Sequence, residues 1–210
     1  MNHIVLLGDS IFDNASYVKG GPDVIRQLLA KLPGGWKATL NAVDGSMVQD
    51  VSSQLARLPQ DATHLFVSAG GNNALDNVGI LGERASSAAE VLDRLADVGG
   101  RFQRQYHEML RGVLRRRLPT AVCTVYYPHF PDPLLQRIAV AALAVFNDVI
   151  IREAVMAGVP LLDLRLICDE DGDYANEIEP SVAGGEKISD VILKVVAGHD
   201  FARRRTEVFC

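Results

Sequence analysis

A chain of 210 residues, 48% of them apolar, can bury one sizeable core and does not require a second domain, so residues 1–210 are expected to form a single domain. The formal net charge of −5 and the pI near 5.5 argue against nucleic acid or an anionic membrane as a partner, because both call for a basic face. Three cysteines, Cys123, Cys168 and Cys210, are odd in number and lack a C-x-x-C spacing, which suggests neither a disulfide framework nor a zinc knuckle.

The first apolar run, Ile4 to Leu7, is too short for a signal sequence and has no basic segment before it. No stretch is expected to approach the roughly 20 apolar residues of a membrane span. A cytoplasmic protein with no membrane partner is the expectation.

Along the chain, strand-sized and helix-spaced segments alternate. His3–Leu7 is the first apolar run, followed by a helical stripe of Val24, Leu28, Leu29 and Leu32. Ala38–Val43 is the second run, and Val48, Val51, Leu55 and Leu58 mark the next helix. His64–Ser68 precedes a long stripe from Val91 to Val113 that the pair Gly99–Gly100 is placed to break. Ala121–Tyr126 leads into the strongly apolar segment Leu134–Met156, and Leu161–Ile167 into a last stripe of Ile188, Val191, Ile192 and Val195.

Near-continuous apolar strands separated by helices imply a parallel sheet covered on both faces, an α/β/α sandwich. The polar, basic end, about residues 201–210, reads as a surface tail. In such sheets ligands collect beyond the carboxyl ends of the strands, so the informative loops begin near Gly8, Asp44, Gly70, Tyr127 and Cys168.

The first of these loops holds Gly8-Asp9-Ser10. A serine at a strand-to-helix turn can expose its hydroxyl while its own N–H points into the same cleft, or Asp9 or Ser10 can simply cap a helix. The second, "VDGSMV", places Gly45 after a strand, where the absence of a Cβ lets a ligand come close. The third, "SAGGNNAL", offers Asn72, whose amide can donate to an oxygen that becomes negative during reaction. Together the Ser10 N–H, the Gly45 N–H and the Asn72 amide can form an oxyanion hole.

The order Gly8-Asp9-Ser10, then an isolated Gly45, then Gly70-Gly71-Asn72, resembles the SGNH or GDSL hydrolases, serine esterases and acylhydrolases. The resemblance implies a flavodoxin-like parallel sheet of five strands in the order 2-1-3-4-5. It also implies Ser10 as nucleophile, with Ser10, Gly45 and Asn72 as oxyanion donors, and no cofactor or metal. The family's last block is an aspartate, two residues and a histidine. Here "NEIEPSVAGGEKI" places Asn176 at the aspartate and Glu179 at the histidine, while Pro180, Ser181 and Gly184 keep the register. Asn73 likewise stands where the family's third block carries an aspartate.

A serine hydroxyl needs a base within hydrogen-bond reach. Glu179 is one candidate, provided burial lifts its pKa toward 6 to 7. His129 in "VYYPHFPDP" is the other, because it follows the fourth strand at the same sheet edge; His3, His64, His107 and His199 are placed elsewhere. The acidic segment "CDEDGDYANE" begins like a calcium loop but has Tyr174 where glycine is needed, and reads as a solvated loop whose Asp173 is positioned to lean on His129 or to repel charge on Glu179.

The leading expectation is a serine hydrolase that cleaves a small ester or acyl group. The alternative is a ligand-binding protein on the same scaffold without a competent base, and a phosphate or nucleotide binder using the first loop as an anion cradle comes third. The segment Ala74–Arg84 is expected to face the substrate, and the apolar Ile138–Phe146 leaves room for a homodimer face.

Overall fold

In the computed structural model, residues 2–210 form one six-stranded, all-parallel sheet with helices on both faces. The strands are β1 (His3–Gly8), β2 (Lys37–Leu40), β3 (His64–Ser68), β4 (Thr120–Cys123), β5 (Leu161–Leu162) and β6 (Val208–Phe209), in the spatial order β2-β1-β3-β4-β5-β6. Val5 of β1 pairs with Thr39 on one side and Leu65 on the other, which fixes the register of the centre.

The period-2 alternation of a strand divides the core into two. Val5 and Leu7 face one layer, built from α2 (Val51–Leu55), α4 (Ala88–Leu114) and α5 (Pro133–Ala157). Ile4 and Leu6 face the other, built from α1 (Val24–Lys31), α6 (Leu164–Ile167) and α7 (Val182–Gly198). The remaining helix, α3 (Gly71–Asp76), follows β3 directly. Side-chain caps fix where helices begin: Asp23 accepts from Arg26 N–H at α1, Ser87 from Glu90 N–H at α4 and Ser181 from Ala183 and Gly184 N–H at α7. Proline at the first turn starts α5, and Gly158 in the left-handed region (φ 67) ends it.

The sheet is one strand wider than the five expected, because residues 208–209 are not free tail. Leu161 N–H donates to the Glu207 carbonyl at 2.9 Å and Asp163 N–H to the Phe209 carbonyl at 2.9 Å, so the far edge of β5 finds its partners there. The run Leu161–Ile167 also divides. Asp163 accepts from Arg165 N–H and caps α6, ending the strand after two residues.

Gly99–Gly100 does not break α4, which runs unbroken from Ala88 to Leu114. A Cβ on Gly99 would lie 2.5 Å from Val145 Cγ1, so the missing side chain admits α5 to close contact. Contrary to expectation, α5 has the length and apolar composition to cross a membrane, with a mean hydropathy of 1.8 over eighteen residues. In the fold it packs on α4 and buries two polar residues: Asn147 grips both the N–H and the carbonyl of Val125 at 2.8 Å, and Glu153 pairs with His107 at 2.7 Å.

Candidate active site

Gly8, the last residue of β1, has φ 122, and a Cβ there would fall 1.7 Å from the Ser68 carbonyl oxygen, so only glycine lets β1 and β3 end side by side. The chain then turns on Asp9. Its carboxylate accepts from Ile11 N–H at 3.2 Å, and its carbonyl accepts from Phe12 and Asp13 N–H. The capping work in this turn is therefore done by Asp9, and the Ser10 hydroxyl is left free for another partner.

That partner is Glu179. Ser10 Oγ donates to Glu179 Oε1 at 3.0 Å, with Ser10 8% and Glu179 5% exposed. The second carboxylate oxygen, Oε2, is buried without a hydrogen-bond partner among the described residues. Burial, reinforced by the charge of Asp44 and opposed by the Ser10 hydrogen bond, raises the Glu179 pKa from 4.5 to about 7. Asp9 is raised from 3.8 to about 7, chiefly by burial, against the Ile11 N–H bond and with a contribution from the charge on Glu179.

The loop that carries Glu179 is held on every side. Asn176 Oδ1 accepts from Ile178 N–H at 2.9 Å and Glu179 N–H at 3.0 Å, the Glu179 carbonyl accepts from Ala175 N–H, and Tyr126 Oη donates to the Ile178 carbonyl at 2.6 Å. Asn14 adds a bond to the Pro180 carbonyl at 3.1 Å. Asn176 thus braces the backbone beneath Glu179.

His129 does not reach the serine. Its side chain is half exposed, stacks on Tyr174 with ring centroids 5.2 Å apart and lies 3.8 Å from Asp171, and Ser10 Oγ bonds only Glu179. The expectation that Asp173 supports either residue is also overturned. Asp173 is buried and committed to Lys187 at 2.8 Å and to Glu170 N–H at 3.0 Å, and the carboxylate acting on Glu179 is Asp44. With Asp169 and Glu170 also near Lys187, the acidic segment is organised around a cation of its own chain.

The three proposed oxyanion donors occupy neighbouring loops. The Ser10 and Gly45 N–H groups have no acceptor among the described residues. Gly45 has φ 78 with open space where a Cβ would stand, so its glycine serves the turn. Asn72 donates one amide hydrogen to the Ser46 carbonyl at 3.0 Å and keeps a second for a ligand. Asn73, in place of the family's aspartate, accepts from Val48 N–H at 3.1 Å and so joins α3 to the same loop.

Two residues that sequence reasoning missed complete the frame. Buried Gln54 accepts from Gly8 N–H at 2.7 Å and donates to the Gly8 carbonyl at 2.8 Å and to Ser46 Oγ at 3.2 Å. Tyr126 fixes Ile178. Both belonged to apolar-looking elements, and nothing local in the sequence marks a glutamine inside a helical stripe as a brace.

Asp9, Ser10, Ser68, Asn72, Asn77 and Glu179 line a cavity of about 120 Å³ whose other walls include Leu75, Val78, Ile80 and Leu81 after β3, the segment after β4 and the facing sides of α4 and α5. The segment Ala74–Arg84 therefore borders the cavity as expected, and His129 does not.

The model of the GDSL-like lipase/acylhydrolase family matches residues 6–186. No curated protein matches the sequence. Solved structures with a similar fold include phospholipase A1 from Streptomyces albidoflavus (17% identity, TM-score 0.66, 92% of this chain and 98% of that one). A lipase from a goat rumen metagenome is similar at 18% identity and TM-score 0.71, over 94% and 98% of the two chains. An acetylxylan esterase from Geobacillus stearothermophilus follows at 14% identity and TM-score 0.61, over 97% of each.

Proposed function

The chain belongs to the GDSL-like lipase/acylhydrolase family, and on that premise we propose that it hydrolyses a carboxylic ester through an acyl-enzyme on Ser10, with Glu179 as the general base. The observation that carries this reading is the 3.0 Å bond from Ser10 Oγ to a buried carboxylate whose pKa is lifted to about 7. An ordinary glutamate is too weak a base for a hydroxyl at neutral pH, whereas one near 7 lies where proton transfer is efficient.

In the first step the Ser10 hydroxyl loses its proton to Glu179 Oε1 as Oγ bonds to the substrate carbonyl carbon. The carbonyl oxygen, now an oxyanion, is met by the Ser10 and Gly45 N–H groups and the free Asn72 amide hydrogen. Collapse breaks the bond to the alcohol oxygen, which takes the proton from Glu179. A water then gives its proton to Glu179 and attacks the acyl-enzyme; the acyl–Oγ bond breaks as Oγ takes that proton back, releasing the carboxylic acid and restoring Ser10 and the ionised Glu179.

The alternative is a ligand-binding protein on this scaffold, favoured by the fact that a buried carboxyl near pKa 7 is half protonated at neutral pH. Labelling with a fluorophosphonate separates the two: adduct on Ser10 in the native chain and none in Glu179→Gln supports catalysis, and an unlabelled native chain supports binding alone.

A further inference from the structure

The shape and lining of the cavity deepen the proposed function, on which the inference rests. Its polar lining residues, Asp9, Ser10, Ser68, Asn72, Asn77 and Glu179, come from the ends of β1 and β3, from α3 and the residue after it, and from the segment before α7. The rest of its lining is mostly apolar, with Ile80 and Leu81 on one side, Leu95 of α4, and Ala142, Leu143 and Phe146 of α5 on the other. Leu75 and Val78 line it and are also exposed, so they stand at its mouth.

We infer that this cavity is the acyl site and that it takes one unbranched, uncharged acyl chain of about six carbons. An apolar void of about 150 Å³ stays dry and accepts a six-carbon guest, and a cavity of about 120 Å³ is of that size. An acetyl group would leave most of the walls without contacts. A sugar or charged headgroup would bring hydroxyls or charge against Leu81, Leu95 and Phe146, which offer no hydrogen bonds. The alcohol half of the ester must therefore lie outside, toward the loops of Gly45 and Asp44.

The walls also set an upper limit. Ala142 is a small residue on α5 where the cavity is bounded, and Phe146, one turn on, packs on Phe102 at 4.8 Å between ring centroids, closing the space. A chain much longer than the cavity must leave its end in water and gains nothing further.

The experiment is a series of p-nitrophenyl esters from acetate to dodecanoate. Each methylene that is buried is expected to raise kcat/KM about three- to fourfold, giving a maximum near hexanoate at least tenfold above acetate and no further gain beyond octanoate. Ala142→Phe is expected to bring the maximum down to acetate or propionate, and the milder Ala139→Leu, at another small residue of α5 that lines the cavity, to shorten it by one or two carbons, with the thermal midpoint showing that each variant folds. A native maximum at acetate, or variants with an unchanged chain-length profile, would overturn the acyl-site assignment while leaving Ser10 and Glu179 in place. Calorimetry with ethyl hexanoate and ethyl acetate separates the other failure. Selective binding of the hexanoate without hydrolysis of any ester supports the cavity and overturns the catalytic reading, and equal or absent binding of both overturns the cavity.

Discussion

Ser10 and Glu179 lie 169 residues apart in the chain and 3.0 Å apart in the fold, hydroxyl to carboxylate. The parallel sheet makes this possible, since β1 delivers Ser10 and the segment before α7 delivers Glu179 to the same edge. Position alone does not make a base; in the proposed mechanism burial supplies the rest by raising the pKa of Glu179 to about 7.

Replacing Glu179 with glutamine is expected to lower kcat/KM for a simple ester by about 10²–10⁴-fold, the usual contribution of a positioned base. In the native chain kcat/KM is expected to rise with pH through about 7 and then level off, because the ionised carboxylate is the active form. Initial rates between pH 5 and 9 check both; an unchanged rate in Glu179→Gln removes the glutamate from the mechanism.

The same substitution is expected to stabilise the fold at alkaline pH. Glu179 is raised from 4.5 to about 7 in the native state, so between those values the native chain keeps a proton that the unfolded chain has released. Stability falls as pH rises through that window and stays reduced above it. Glutamine carries no charge to desolvate. At pH 8 the variant is expected to gain about 1–3 kcal/mol over the native chain, and at pH 4 almost nothing. Denaturant titrations at the two pH values measure the difference.

Gln54 is expected to matter through the turn it holds. Gln54→Leu leaves the buried Gly8 N–H without a partner, at about 1–3 kcal/mol, while the Gly8 carbonyl keeps the Val43 N–H at 3.1 Å. It also frees Ser46. Stability is expected to drop by about 1–3 kcal/mol, and kcat by tenfold or more with KM little changed; Gln54→Glu, which keeps the acceptor to Gly8 N–H, is expected to recover part of the loss. Denaturation and steady-state kinetics on the two variants provide the test.

His129→Ala is expected to leave kcat within about threefold of the native value, since the ring stacks on Tyr174 and faces Asp171 rather than Ser10. A loss comparable to that in Glu179→Gln would return the imidazole to the mechanism.

Much of this was legible from local pattern. The alternation of apolar runs and helical stripes gives the parallel sheet, and three short blocks place Ser10, Gly45 and Asn72 at its carboxyl edge. Which of Glu179 and His129 lies beside Ser10 is not a local matter. Both follow strands at the correct edge, and they differ in which side chain packing aims inward. Strand ends eluded pattern for a related reason. Leu161–Ile167 is uniformly apolar apart from Asp163 and Arg165, and the capping bond of Asp163 ends the strand inside it. The pairing of residues 208–209 depends on an open neighbour, β5, that a nearly isolated Val-Phe pair does not announce. Gln54 gives no sequence signal because its partners, the backbone of Gly8 and the hydroxyl of Ser46, come to it only in the fold.

If the cavity that Glu179 lines is the acyl site, occupancy and ionisation work against each other. A hydrocarbon tail filling the cavity would deepen the same isolation from solvent that already raises the Glu179 pKa, and so push the proton back onto the carboxylate. The longer the tail, the more alkaline the medium the loaded protein needs to turn over. In the proposed mechanism the group that fits best handicaps the base that must act on it, a conflict that an imidazole at this position would escape, since its basic form is the neutral one that burial favours.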